Sequence, residues 1–229
     1  MSRDPERRLS TGGLPPVKVS RKHVVEKAPS HDSTPCFTAW LRDEIMEVPH
    51  GWSASEFTIA DKRPQRSLQI YDTTPQAADA KHLQTLAKAF HEELCKDHGV
   101  GGRDKTARID VWGLPLATDV SEEERIAKCK AHLLAEIAAR ENSGDDNCYI
   151  SELSGHDQWS RSIIIIGRPE GSWDEDEGGF LAVYWDRHSQ YQEMLVHAYG
   201  PDHQQPDVRV LRHTREELGT LLEDLTNFI

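Results

Sequence analysis

The sequence predicts an α+β fold, a single domain with a mainly antiparallel sheet in its C-terminal half, flanked by three to four helices. Three observations lead there. Helical periodicity dominates up to about residue 141, strand-like runs follow one another from Cys148 to His213, and an amphipathic stretch closes the chain. Helix-rich and strand-rich stretches that separate, rather than alternate, favour α+β over a doubly wound sheet.

The elements follow in order. Thr34-Pro35 reads as a cap with proline in the first helical position, and Phe37, Trp40, Leu41 and Ile45 supply an apolar stripe for a helix ending before Pro49. "SEFTIA" and "RSLQIYD" read as two short strands on either side of Pro64. Thr74-Pro75 opens a longer helix with Leu83, Leu86, Ala87, Phe90 and Leu94 on its buried face, stopped by Gly99. "ARIDVWGL" is the next strand. Ser121 to Glu124 form a capping box before a helix that presents Ile126, Cys129, Leu133 and Ile137. Then come "CYISEL", "SIIIIG", "FLAVYW", "YQEMLVHAY" and "DVRVLRH", expected as a meander, and a second capping box at Thr214 to Glu217. "SIIIIG" and "FLAVYW" lack alternation, which marks central strands covered on both faces.

Residues 1–33 have few large apolar side chains, with Gly-Gly, Pro-Pro and mixed charge, so they read as a disordered basic arm before a domain of residues 34–229. Charge divides the same way. The overall net charge is −12, yet residues 1–30 carry seven bases against three acids. An acidic body repels phosphate at long range, which disfavours nucleic-acid binding by the domain and leaves only residues 1–30 for it. The chain calls for no membrane, no cofactor and, if charged at all, a protein partner with a basic surface. With no apolar leader after Met1 and four scattered cysteines, the reading is cytoplasmic or nuclear, not secreted.

Several segments invite chemistry. Five carboxylates lie between Glu170 and Glu177, but from Asp174 the EF-hand spacing fails, with Gly178 at the fifth position and Trp185 at the twelfth. The segment reads as a hairpin tip. Trp173, hard to bury among Asp174, Glu175, Asp176 and Glu177, makes it the expected partner-binding surface. "GVGGRDKT" imitates a phosphate loop, but Asp104 replaces its second glycine and the segment runs from helix to strand. Cys95 with His98 and Cys129 with His132 make two C-x-x-H pairs, numerically enough for zinc, although a cysteine at the edge of a core is ordinarily a small hydrophobe. Asp186, His188, His197 and Asp202 are the candidates for acid–base catalysis. No nucleophile elbow accompanies them. The function expected is a non-catalytic interaction or regulatory protein; the alternative is a hydrolase or transferase using that His/Asp cluster.

Overall fold

The computed structural model describes residues 7–9, 13–57, 67–96, 108–143, 162–168, 179–185, 208–214 and 217. Among these residues eight strands form one mixed sheet: β1 (Arg7–Leu9), β2 (Val17–Ala28), β3 (Cys36–Glu47), β4 (Ser67–Asp72), β5 (Arg108–Gly113), β6 (Ser162–Ile166), β7 (Phe180–Trp185) and β8 (Val208–His213). Their order is β1-β2-β3-β5-β4-β6-β7-β8. Only β5-β4 and β4-β6 pair in parallel, and all other neighbours are antiparallel.

The helices are α1 (Ala80–Lys96), between β4 and β5, and α2 (Glu122–Ser143), between β5 and β6. The chain crosses from β4 to β5 on one side, then back over β4 to β6 on the other. Crossovers of one hand in opposite directions put their helices on opposite faces, and the two cores agree. Leu83, Ala87 and Phe90 of α1 pack on Leu68, Ile70, Ile109, Val111, Ile164 and Phe180. Cys129 and Leu133 of α2 pack on Tyr71, Trp112, Ile163, Ile165, Leu181 and Val183. Successive strand residues thus serve different cores, which is why "SIIIIG" needs no polar alternation.

The helix count requires a correction. Two α-helices, not three to four, flank the sheet among the described residues, and the centre of the sheet is parallel. The stripe at Phe37, Trp40, Leu41 and Ile45 belongs to a strand. Cys36 to Trp40 are five consecutive buried residues, which only a strand covered on both faces accommodates. Its partner, β2, comes from the segment expected as a disordered arm. Val17 and Val19 are buried there, and its bases answer acids across the hairpin: Lys18 with Glu47 at 2.9 Å, Arg21 with Asp43 at 2.7 Å, and Lys22 with Glu44. Cross-strand pairs of this kind contribute roughly 0.2–1 kcal/mol each. Charge counted along the chain read as a tail because its neutralising partners lie in the next strand.

Other local expectations shift by smaller amounts. Ala54–Phe57 is a 3-10 turn, not the start of a strand. Thr74-Pro75 begins a 3-10 turn, and α1 itself starts after Asp79, whose Oδ1 accepts from Lys81 N at 2.9 Å. Ser121 Oγ accepts from Glu124 N at 3.2 Å, as a cap should. β6, β7 and β8 are antiparallel neighbours in chain order. The strands expected at "CYISEL" and "YQEMLVHAY" and the helix after Glu217 lie outside the described residues. No described helix is long and apolar enough to cross a membrane.

Candidate functional site

Two polar centres flank α2, and both follow from how the helix lies on the sheet. Arg125, Cys129, His132 and Glu136 are spaced by four, three and four residues, so they share the stripe that faces the strands. All four are buried.

At the first turn, Arg125 reaches the carboxyl ends of β4 and β6. Its Nη1 donates to Thr73 Oγ1 at 2.5 Å and lies 3.4 Å from Thr73 O. Thr73 is itself tied to β6, its N and Oγ1 donating to Ile166 O at 2.9 and 2.8 Å. Gly167 lies beneath the guanidinium; a Cβ there would stand 3.5 Å from Arg125 Nε. Arg125 is 7% exposed, and no carboxylate pairs with it among the described residues. The neighbouring acid, Glu122, is held by Arg212 at 2.6 Å.

The same edge carries Asp72 and Thr74. Asp72 Oδ1 accepts from Thr74 N at 2.9 Å, and its Oδ2 lies 2.8 Å from His82 Nε2. The Thr74 hydroxyl is buried with no hydrogen-bond partner among the described residues. Here β4 leads into α1 on one face of the sheet and the adjacent β5 leads into α2 on the other, and ligands of such sheets sit outside the carboxyl ends at that reversal.

Two turns along, His132 sits edge-on to Trp112 and Tyr71, with ring centroids 5.1 and 5.6 Å away. Its Nδ1 is 2.9 Å from Tyr71 Oη. Its Nε2 is buried without a well-formed hydrogen bond among the described residues and faces Asp32 Oδ1 at 3.5 Å and Glu136 Oε1 at 3.9 Å. Glu136 Oε1 accepts from Ser30 Oγ at 2.7 Å and His31 N at 2.9 Å, and lies 2.7 Å from His31 Nδ1. The turn between β2 and β3 is thereby drawn onto α2. Burial lowers the pKa of His132, opposed by Asp32 and Glu136, so its ring is neutral near pH 7. Burial raises the Tyr71 phenol well above its ordinary value, and nearby thiols and carboxylates add to that. Slight burial of Asp32 is outweighed by hydrogen bonds from Thr34 and Ser30, which hold its carboxyl well below the usual range.

The residues expected to act chemically separate as follows. Cys95 and Cys129 lie on helices on opposite faces of the sheet, so these two thiols do not converge. Burial pushes the Cys129 thiol up to about 12 and Cys95 up to about 11; both stay protonated at neutral pH. Cys95 instead stands 3.9 Å from His91 Nε2, while His91 Nδ1 is 2.9 Å from His23 Nδ1. His98, Asp186, His188, His197, Asp202 and the segment from Trp173 to Glu177 lie outside the described residues.

Arg125, Glu136, His31 and Asp32 were not among the sequence candidates. For the first two a signal existed: charged residues placed on the apolar stripe of a helix must find a partner or a ligand. Comparison with known protein families, with curated proteins and with solved structures finds no match.

Proposed function

We propose that this chain is a regulatory binding domain for a small anionic ligand, held by a phosphate or carboxylate group at the carboxyl ends of β4 and β6. One observation carries the reading: Arg125 is a buried guanidinium without an ion pair among the described residues, seated where such sheets take their ligands. Leaving a buried charge uncompensated costs several kcal/mol, and a bound anion removes that cost. A planar guanidinium with two of its nitrogens uncommitted among the described residues suits bidentate contact with an oxyanion. Binding is favoured over bond-making because the Cys95 and Cys129 thiols are held protonated. The acidic excess of the chain, −12 overall, favours a basic protein partner as the recipient of the signal.

Thermal stability of the full chain measured against inorganic phosphate, nucleoside mono- and triphosphates and dicarboxylates tests the ligand. A concentration-dependent rise in Tm for at least one of these anions is expected, absent in Arg125→Met and weakened in Arg125→Lys. Arg212→Met, which removes the exposed neighbouring arginine, should retain it. An equal response in wild type and Arg125→Met, or no response to any of the anions, overturns the reading.

A further inference from the structure

We propose that His31, Asp32, His132 and Glu136 form a binding site for one divalent transition-metal ion of the zinc class, clasping the β2–β3 turn to α2. The four donor atoms all lie within 4.8 Å of one another, and no ion is present. A tetrahedral zinc with bonds of about 2.0–2.1 Å separates its donor atoms by about 3.3 Å. The contacts here bracket that value: 2.7 Å between His31 Nδ1 and Glu136 Oε1, 3.5 Å between His132 Nε2 and Asp32 Oδ1, and 3.9 Å between His132 Nε2 and Glu136 Oε1. With every donor pair within 4.8 Å, adjustment of the side chains would bring the set to coordination distance.

A polar tie between turn and helix explains Glu136 Oε1 and its three donors. It does not explain His132. That residue is 9% exposed, and its Nε2 points at two carboxylates from 3.5 and 3.9 Å, longer than a well-formed hydrogen bond to either. Its other nitrogen is already engaged by Tyr71 Oη at 2.9 Å, the outer contact that fixes the tautomer and direction of a ligating imidazole. Trp112 and Tyr71 wall the ring in, so little rotation is available to it. Two nitrogen and two carboxylate ligands suit zinc better than magnesium or calcium, which take oxygen alone. Two carboxylates also balance the charge of the ion. With four protein ligands the site is closed, so the ion would act by holding structure.

The second cluster among the described residues, His23, His91 and Cys95, is a weaker candidate, because His91 turns different nitrogens toward His23 and Cys95.

The site spans about a hundred residues of sequence, so occupancy should stabilise the whole domain. The full chain, stripped with a chelator and dialysed, is titrated with zinc by calorimetry and with cobalt by absorption. Expected are one ion per chain, a Tm that rises with zinc, and visible bands of tetrahedral cobalt. His31→Ala and Asp32→Ala alter the turn, not the core, and should fold; each should weaken zinc binding at least tenfold. Cys95→Ser and Arg125→Met should bind zinc as wild type does. Failure of the stripped wild type to take up one equivalent at micromolar zinc overturns the proposal. So does unchanged affinity in both turn variants, or loss of binding in Cys95→Ser. None of these outcomes bears on the Arg125 site.

Discussion

Arg108 and Asp110 stand two residues apart on the same face of β5 and form a buried ion pair at 2.9 Å, their side chains 7% and 1% exposed. Thr38, in register with Asp110 on β3, donates to the same carboxylate oxygen, and Gln69 Nε2 donates to the other at 3.1 Å. Gln69 in turn accepts from Trp112 Nε1 at 2.7 Å. The polar residues of three strands thus satisfy one another inside the sheet's second core. Arg108→Met removes the cation and strands the carboxylate, at a cost of about 3–5 kcal/mol. Arg108→Met combined with Asp110→Asn should recover more than half of that loss. Urea unfolding midpoints of the single and double variants measure both.

The same carboxylate sets an acid limb. Burial alone would raise the Asp110 pKa, but the Arg108 guanidinium and hydrogen bonds from Thr38, Ser67 and Gln69 overcome it and hold the group below its ordinary 3.8. A depressed carboxylate contributes stability in full above 3.8 and loses it as pH falls through the folded value. Wild-type Tm should therefore drop as pH is lowered below about 4. In Arg108→Met burial dominates, the folded pKa rises, and that limb should flatten or invert. A Tm series in acid buffers for the two proteins decides it.

Gly113 ends β5 where the 3-10 turn before α1 passes over the sheet. A Cβ added there would meet Ala77 O at 2.3 Å and Leu83 Cδ1 at 2.5 Å. The carbonyl belongs to the backbone and cannot swing aside, so Gly113→Ala should cost about 1–3 kcal/mol by overpacking. Differential scanning calorimetry should show the lowered Tm with the secondary structure otherwise kept.

Leu133 and Leu134 are neighbours on α2 with opposite fates. The first is fully buried beside Cys129, and the second is 47% exposed. Leu133→Ala should cost about 2–5 kcal/mol, whereas Leu134→Ala should stay within about 0.5 kcal/mol. Equal effects would mean that the helix is rotated about its axis from the orientation described.

Local pattern carried the reading where local pattern decides structure. Leu83, Ala87 and Phe90 are buried on α1, Cys129 and Leu133 on α2, and the two uninterrupted apolar runs are β6 and β7. It misled where a distant partner decides. Phe37, Trp40, Leu41 and Ile45 satisfy a period of 3.6, but pairing with β2 and β5 imposes a period of two. The candidate chemistry shows the same division. His132 stood among the sequence candidates, but spacing attached it to Cys129, three residues away. Its facing groups are Glu136, one turn further on, and Asp32, a hundred residues earlier. Turn residues in a segment read as solvated offered no local reason to be counted.

β3 touches β5 only from Cys36 to Ala39, while its pairing with β2 runs on to Glu47. Beyond that seam eight residues of β3, about 27 Å of strand, run on without β5, held by β2, by β1 along Val17–Val19 and by α1 where His91 meets His23. Their amide protons should exchange with solvent through partial openings that leave β4, β5 and β6 untouched, so unfolding would begin as a peeling of this flap. A cation clasped at the opposite end of the hairpin would act as a hinge pin, and the flap's opening would then report whether the pin is in place.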